Sequence, residues 1–510
     1  MSHQTPWKDA PQRSFPQLQQ NVTCDVLVIG GGITGLTAAW LLQNAGRKVC
    51  LIERNSLGDG ETGNTTAHLT YVTDHRLHQL VSSFGRDAAR LVWQGGAAAI
   101  NSIEKIAASQ NIPCNFRRIP GFLYASLEKE SSDDEIELLQ KDRQLAQELG
   151  FEAEYEARIK QVLRPGVRFA NQAKFHPLRY ISGLAESFNK AGGLIFEGTT
   201  ATEFTENPRC ITANQFQIRA DYLVVATHAP IMGAAGVMNS ALLQTKLVSS
   251  STYAVGAYLP KDVYPEALYW DTSDPYFYLR IDKGVSTDYA ILGGRDHKTG
   301  QVENPKVCYH VLETTLRTLL PDARVERRWS GQVIDTHDGL PYIGETASRQ
   351  FSATGFSGNG MTFGTLAGMM ACDAVLKREN PWKALFSPDR KKLSSGWDYI
   401  KENFDYPYYL LRDRLAGADV ASAEDVSPGD GKILVTNGEH VACSRDMSGR
   451  VQTVTGICTH MGCVVHWNHA EKTWDCPCHG SRFEASGAVI AGPAETPLKP
   501  VNIQHPVSVR

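Results

Sequence analysis

The 510 residues carry 51 Lys and Arg against 55 Asp and Glu, a formal charge of -4. So even a balance gives no polyanion-binding signature, and nucleic acid is not an expected partner. No apolar run approaches the roughly 18 residues of a membrane span, and 42% hydrophobic with 21% charged residues is ordinary for a globular chain long enough for several domains.

The first ten residues, Met1 to Ala10, lack a basic segment followed by an apolar core, which predicts no secretory signal and a cytoplasmic location. Asp25 to Ile29 has strand character and runs into a G-x-G-x-x-G turn with Gly30, Gly32 and Gly35 as its glycines. An apolar helix pattern, Leu36 to Gln43, follows, then a second strand, Lys48 to Ile52, that ends in Glu53. Strand, glycine turn, helix, strand and acid at this spacing predict dinucleotide binding. The glycines let backbone approach a pyrophosphate, and the acid accepts from a ribose hydroxyl.

Gly58 to Thr70 is a polar loop containing Thr65, Thr66 and His68. Helical patterns cover Gly85 to Gln110 and Asp133 to Leu149, and Tyr222 to Ala229 reads as a buried strand. Leu247 to Gly294 alternates and is rich in aromatics, with Tyr276 to Asp282 and Tyr289 to Gly294 predicting a hairpin of a mixed sheet. Two later segments are Asp338 to Gly344, D-G-L-P-Y-I-G, and Gly355 to Met361, G-F-S-G-N-G-M, which leads into a helical pattern.

From about Thr23 to Lys377 the chain resembles the D-amino-acid oxidase family of FAD enzymes, whose relatives include sarcosine and glycine oxidases. The resemblance implies FAD as cofactor. It implies flavin contacts from Gly344, Gly358, Asn359, Gly360 and Met361, with the helix that follows aiming backbone N–H groups at the flavin pyrimidine. It places Thr65, Thr66 and His68 along the isoalloxazine, making His68 a candidate catalytic residue. Amino-acid-oxidising members carry an arginine shortly before the D-G-L-P segment, where this chain has Val333. Arg280 is then the candidate to grip a substrate carboxylate.

Asn380 to Leu415 belongs to neither pattern. It carries Pro381, Pro388, the basic run Arg390 to Lys392 and the aromatics Trp397, Tyr399, Phe404, Tyr406, Tyr408 and Tyr409, and predicts a packed linker. Beyond it, short alternating runs such as Lys432 to Thr436, punctuated by Asn437-Gly438 and Ser448-Gly449, predict a small antiparallel domain.

Within that domain stand C-T-H-M-G-C, Cys458 to Cys463, and C-P-C-H-G-S, Cys476 to Ser481. A Rieske [2Fe-2S] cluster binds one iron through two thiolates and the other through two imidazoles. Cys-x-His and Cys-x-x-His offer that set as Cys458, His460, Cys476 and His479. Structural zinc accepts the same donor types. From about Asp419 onward the segment resembles the Rieske proteins of cytochrome bc complexes, and in that resemblance Cys463 and Cys478 form an inter-loop disulfide while Gly492 to Ala494 packs over the cluster. Ser481 keeps the hydroxyl that hydrogen-bonds cluster sulfur, whereas Phe483 replaces the tyrosine. The other seven of the eleven cysteines are scattered and are expected as reduced core residues.

The expected fold is therefore an α/β FAD-binding, Rossmann-like, two-domain oxidase followed by a small all-β Rieske domain. Its expected domains are 20–380, with FAD-binding pieces at about 20–80, 170–230 and 330–380 and substrate pieces at about 85–165 and 240–325. A linker at 381–417 and the Rieske domain at 418–510 follow. A flavin accepts two electrons as hydride and the cluster carries one, so the expected function is a dehydrogenase of a small amine or amino-acid-like donor that passes electrons singly to an acceptor. The alternative is an electron-transfer or redox-sensing protein whose flavin a partner reduces. A Rieske oxygenase needs an additional iron held by two histidines and a carboxylate, and no convincing D-x-x-H-x-x-x-x-H is present.

Overall fold

The computed structural model describes residues 3–206, 209–231, 243–390 and 405–502. Val22–Ile29 forms the centre of an eight-stranded sheet, paired in parallel with Phe216–Val225 on one side and Val49–Ile52 on the other. Leu194–Phe196 extends one edge; Gln350–Thr354 and the antiparallel Tyr342–Ala347 extend the other. The central strands are apolar on both faces because both are covered, as parallel sheets require. On one face lie the helices Ile33–Asn44 and Gly360–Val375, which approach closely through Gly364 and Gly368 against Thr34 and Thr37.

A second, nine-stranded sheet runs Arg324–Thr336, Leu247–Leu259, Asp288–Lys298, Tyr278–Asp282, Leu268–Asp271, Arg117–Tyr124, Arg164–Lys174 and His68–Leu69, with Ala153–Ile159 paired to Arg164–Lys174. The hairpin read from the sequence is present, with Asp282 opposite Tyr289. One face of this sheet packs on the helix Lys306–Leu319, through Tyr253 against Tyr309. The other face, bearing Thr252, turns towards the Glu61–Asn64 helix of the polar loop.

The all-β part holds a three-stranded sheet, Asp430–Thr436, Glu439–Arg445 and Val451–Thr455, and a four-stranded one, His466–Asn468, Thr473–Asp475, Arg482–Glu484 and Val489–Ala491. Asn437 and Gly438, both at positive φ, make its first hairpin turn, the backbone that Asn-Gly favours. Within the connecting segment Phe386 is fully buried and Arg390 grips Asp338 with both Nε and Nη2. The helix Asp405–Leu415 meets the all-β part, where Arg414 donates to the carbonyl of Gly462. Lys391, Lys392, Trp397, Tyr399 and Phe404 lie outside the described residues, as does the side chain of Tyr406. Among the described residues, no helix is long and apolar enough to cross a membrane.

Candidate functional site: a flavin cradle, a cleft and a cluster pocket

The glycine turn forms the cradle its spacing predicts. Gly30 sits at φ +107°, and a Cβ there would meet the carbonyl oxygen of Ala226 at 2.4 Å. A Cβ on Gly35 would come within 1.9 Å of the oxygen of Gly30, so the helix can enter only with glycine at that position. Gly32 caps the helix Ile33–Asn44, whose N-terminal N–H groups suit a pyrophosphate. Glu53 follows the second strand, and its Oε2 accepts from the Gly31 N–H at 2.8 Å, fixing the carboxylate beside the turn. These residues fit the FAD that the motif implies, and they would hold it across the ends of the parallel strands.

Gly360 and Met361 begin the second long helix, and the buried Oδ1 of Asn359 has no partner, leaving an acceptor at that helix start. The N–H of Gly358 and the Asn359 amide donate to Asp74 at 2.9 and 3.1 Å. Gly344 lies within the edge strand, where a Cβ would meet Pro388 at 2.8 Å, so glycine at this position also serves close packing of the connecting segment.

Arg280 departs from its expected role. It is buried, its Nε pairs with Asp282 at 2.8 Å, and its Nη atoms donate to the carbonyls of Thr66, Ala67 and Phe175. Every guanidinium nitrogen is engaged by protein, so it positions the polar loop and does not grip a substrate carboxylate. Thr65 steadies the same loop by accepting from the N–H of Ala67. Thr66 meets His68 Nδ1 at 3.1 Å, and His68 stands edge-on to Tyr278. Burial, with Arg280 close by, pushes His68 down to about 3, so its ring is neutral.

His68, Tyr276, Tyr278, Thr252, Asp74 and Asp296 converge between the polar loop and the sheet. Tyr276 donates to Asp74 at 3.0 Å, and the Tyr278 and Thr252 hydroxyls are 2.8 Å apart. Asp74 is exposed and Asp296 half-buried by surface area, yet the protein crowded around their carboxyls raises both above the usual carboxylate range. Neither acid belongs to a motif, and a lone carboxylate near a loop reads from sequence as solvated. A cavity of about 1220 Å³ lies beside the helix Lys306–Leu319, on the opposite face of the sheet. None of its lining residues belongs to the glycine turn or to either cysteine loop.

In the all-β part, Cys458 and Cys476 are buried and each opens a tight loop, with the Gly462 N–H returning to Cys458 O and the Gly480 N–H to Cys476 O. His460 and His479 stand 4.9 Å apart between ring centroids, and the Nδ1 of each is buried without a partner. Burial pushes both rings down to about 4, which leaves them neutral. Two thiols and two unpartnered imidazole nitrogens are the donor set of a Rieske centre. Zinc fits less well. Among the described residues the donor atoms gathered within 4.8 Å of one another are those of Cys463, Cys476 and Cys478, and Cys463 with Cys478 already forms a disulfide. The histidines are not drawn to the same point, as one tetrahedral ion needs. The Ser481 hydroxyl lies within hydrogen-bonding reach of Cys458 and accepts from the Ala494 N–H at 3.0 Å, while Phe483 is fully buried in the surrounding apolar cluster. Of the seven remaining cysteines, six are buried and Cys210 is half-buried.

Sequence reasoning missed the join between the two centres. His460 Nε2, the nitrogen opposite the unpartnered Nδ1, donates to Gln244 Oε1 at 3.0 Å. Gln332 donates through Nε2 to the carbonyl of Gly480 at 2.6 Å, and its own N–H donates to Glu61 of the polar loop at 2.8 Å. Gly480 sits so close to Ser249 that a Cβ would approach the serine Cβ to 2.4 Å. One residue thus touches both the loop along the cradle and the loop of a cluster ligand.

A family profile described as FAD dependent oxidoreductase matches residues 25–374, and one described as Rieske [2Fe-2S] domain matches 417–502. The chain is 34% identical to a putative Rieske 2Fe-2S iron-sulfur protein, YhfW, of Bacillus subtilis, across 98% of each chain. It is 24% identical to the gamma-glutamylputrescine oxidoreductase of Escherichia coli, over 79% of this chain and 95% of that one. In fold it is similar to a glycine oxidase from Geobacillus kaustophilus, with a TM-score of 0.61 at 19% identity over 72% of this chain and 99% of that one. With its glycine cradle on one side and a two-cysteine, two-histidine pocket on the other, the chain belongs to the FAD dependent oxidoreductase family and carries a Rieske [2Fe-2S] domain fused behind it.

Proposed function

We propose that this protein oxidises a small amine- or amino-acid-like donor at the flavin and passes the electrons one at a time through its own cluster to a separate one-electron acceptor. The observation that carries the reading is Gln332, which contacts Glu61 beside the cradle and Gly480 beside His479. FAD, when bound, takes two electrons from a C–H donor, and the cluster carries one at a time. Gln332 and Gln244 would hold the loops of the two groups in register. Similarity to a gamma-glutamylputrescine oxidoreductase supports the amine side of the reading.

Anaerobic mixing of the holoprotein with amines, amino acids and NAD(P)H tests it. The expected result is bleaching of the flavin by an amine or amino acid, followed by the reduced Rieske signal at a rate independent of protein concentration. Cluster reduction that scales with protein concentration refutes the internal path. A flavin that responds to no small molecule and is reduced only by another protein turns the reading into electron relay or redox sensing.

A further inference from the structure

The cleft in front of the cradle has a charge pattern that narrows the donor. Its sheet wall bears Thr252 and Ser250, with Gly331 and Val333 directly across the strand pair and on the same face. Val333 occupies the place where amino-acid oxidisers of the resembled family carry arginine. Two other groups are also unavailable to a carboxylate: Arg280 is consumed by Asp282 and three carbonyls, and His68 is neutral. Acids are present instead. Asp296 has a buried Oδ1 with no hydrogen-bond partner, and the charged neighbours that weigh on it most are the carboxylates of Asp335, Asp74 and Asp274.

Burial and these like charges push Asp296 up to about 7, against the opposing hydrogen bond from Thr252. A half-buried carboxylate whose strongest charged neighbours are carboxylates, with a buried acceptor left vacant, costs stability unless something positive binds there. Tyr276, Tyr278 and the ring of His68 supply aromatic surface beside it, which also favours an ammonium group.

We propose that this cleft takes an amine as its ammonium ion, with no carboxylate on the carbon to be oxidised, and that Asp296 is the anion that holds it. The inference rests on the oxidoreductase reading above and specifies its substrate class. The ammonium proton passes to the Asp296 carboxylate, leaving on nitrogen the lone pair that oxidation of a C–N centre requires. Burial raises Asp74 as well, but the Tyr276 hydroxyl, the Gly358 N–H and the Asn359 amide oppose that rise, whereas Asp296 has the opposing hydrogen bond of Thr252 and an acceptor left over.

Titration of the FAD- and cluster-loaded protein with n-butylammonium, benzylammonium and putrescine, against butyrate, benzoate, glycine and sarcosine, reads the cleft through the flavin difference spectrum without turnover. The ammonium probes should bind and the carboxylate-bearing ones should not. Asp296→Asn should weaken the ammonium probes at least tenfold, with its resting flavin spectrum showing that the protein is folded. Val333→Arg, which restores a cation to the opposite strand, should admit glycine or sarcosine. Tighter binding of glycine, sarcosine or benzoate than of every ammonium probe, failure of all ammonium probes to bind, or an unchanged affinity in Asp296→Asn overturns the inference. Flavin bleaching separates the two claims: amino acids that bleach the flavin through Asp296→Asn leave the oxidoreductase reading standing and remove this one.

Discussion

The cluster pocket and the flavin cleft are built by opposite strategies. All four proposed ligands of the cluster fall between Cys458 and His479, in two loops tied by the Cys463–Cys478 disulfide and closed by their own backbone hydrogen bonds. The cleft gathers Asp74, Thr252, Tyr276, Asp296 and Asn359 from loops and strands spread over nearly three hundred residues, held together by contacts such as Gly358 to Asp74. A locally encoded site depends on a few short loops, whereas a dispersed site depends on the packing of two sheets. Damage to the first should therefore stay local, and damage to the second should follow the fold.

The sharpest break is removal of an imidazole. His460→Ala or His479→Ala should abolish the Rieske visible and paramagnetic signatures entirely while FAD stays at full occupancy; loss of both cofactors together would show that the two regions fold as one. The mirror experiment is Gly35→Ala, whose added methyl has no room against the Gly30 carbonyl. Overpacking of this kind costs about 1–3 kcal/mol, so FAD content should fall severalfold while the cluster spectrum persists. Replacing both Cys463 and Cys478 with serine removes a bridge of sequence separation 15, worth about 3 kcal/mol by loop closure. The cluster should bleach at a lower temperature, with the flavin transition unmoved.

Glu61 tests the boundary itself. Burial pushes its carboxyl up to about 7, opposed by the Gln332 N–H and by Arg482 of the all-β part. Since its ordinary value is 4.5, the folded protein holds a proton between these values that the unfolded chain has released. Its contribution is then fully present below about 4.5 and is lost as pH rises through about 7. The expected difference is at most about 3 kcal/mol, read as a melting temperature that falls across this window in the native protein and less so in Glu61→Gln. Equal slopes in the two proteins refute the assignment. The smallest effect belongs to Phe483→Tyr. A hydroxyl reaching a cluster sulfur stabilises the more negative, reduced state, so the potential should rise. One hydrogen bond of about 1 kcal/mol corresponds to roughly 40 mV for one electron. An unchanged potential in a correctly loaded variant would show that position 483 does not set it.

The same contrast explains which residues could be read in advance. Gly30, Gly32 and Gly35 follow one strand and precede one helix, and Cys458 with His460 shares one loop, so spacing along the chain is spacing in space. Arg280 could not be placed in advance: an arginine fits a substrate clamp by type, but Asp282 and the carbonyls of residues 66–67, brought together by the fold, claim it for the polar loop. Gln244, Gln332, Asp74 and Asp296 went unnoticed because polar residues with no motif look alike until long-range pairing decides what they face.

The sequence by itself determined the two cofactors and the order of the two parts, and it offered the proposed ligand set of the cluster, because glycine turns and metal loops are specified by residues a few positions apart. Tertiary structure alone decided that the cluster loops rest on the oxidase sheet through Gln332 and Gln244, and that the cleft is lined by carboxylates in place of an arginine clamp. Both follow from pairing Leu247–Leu259 with Arg324–Thr336 and Asp288–Lys298. That register turns Thr252, Val333 and Asp296 towards the cradle, and no local pattern of residues encodes it.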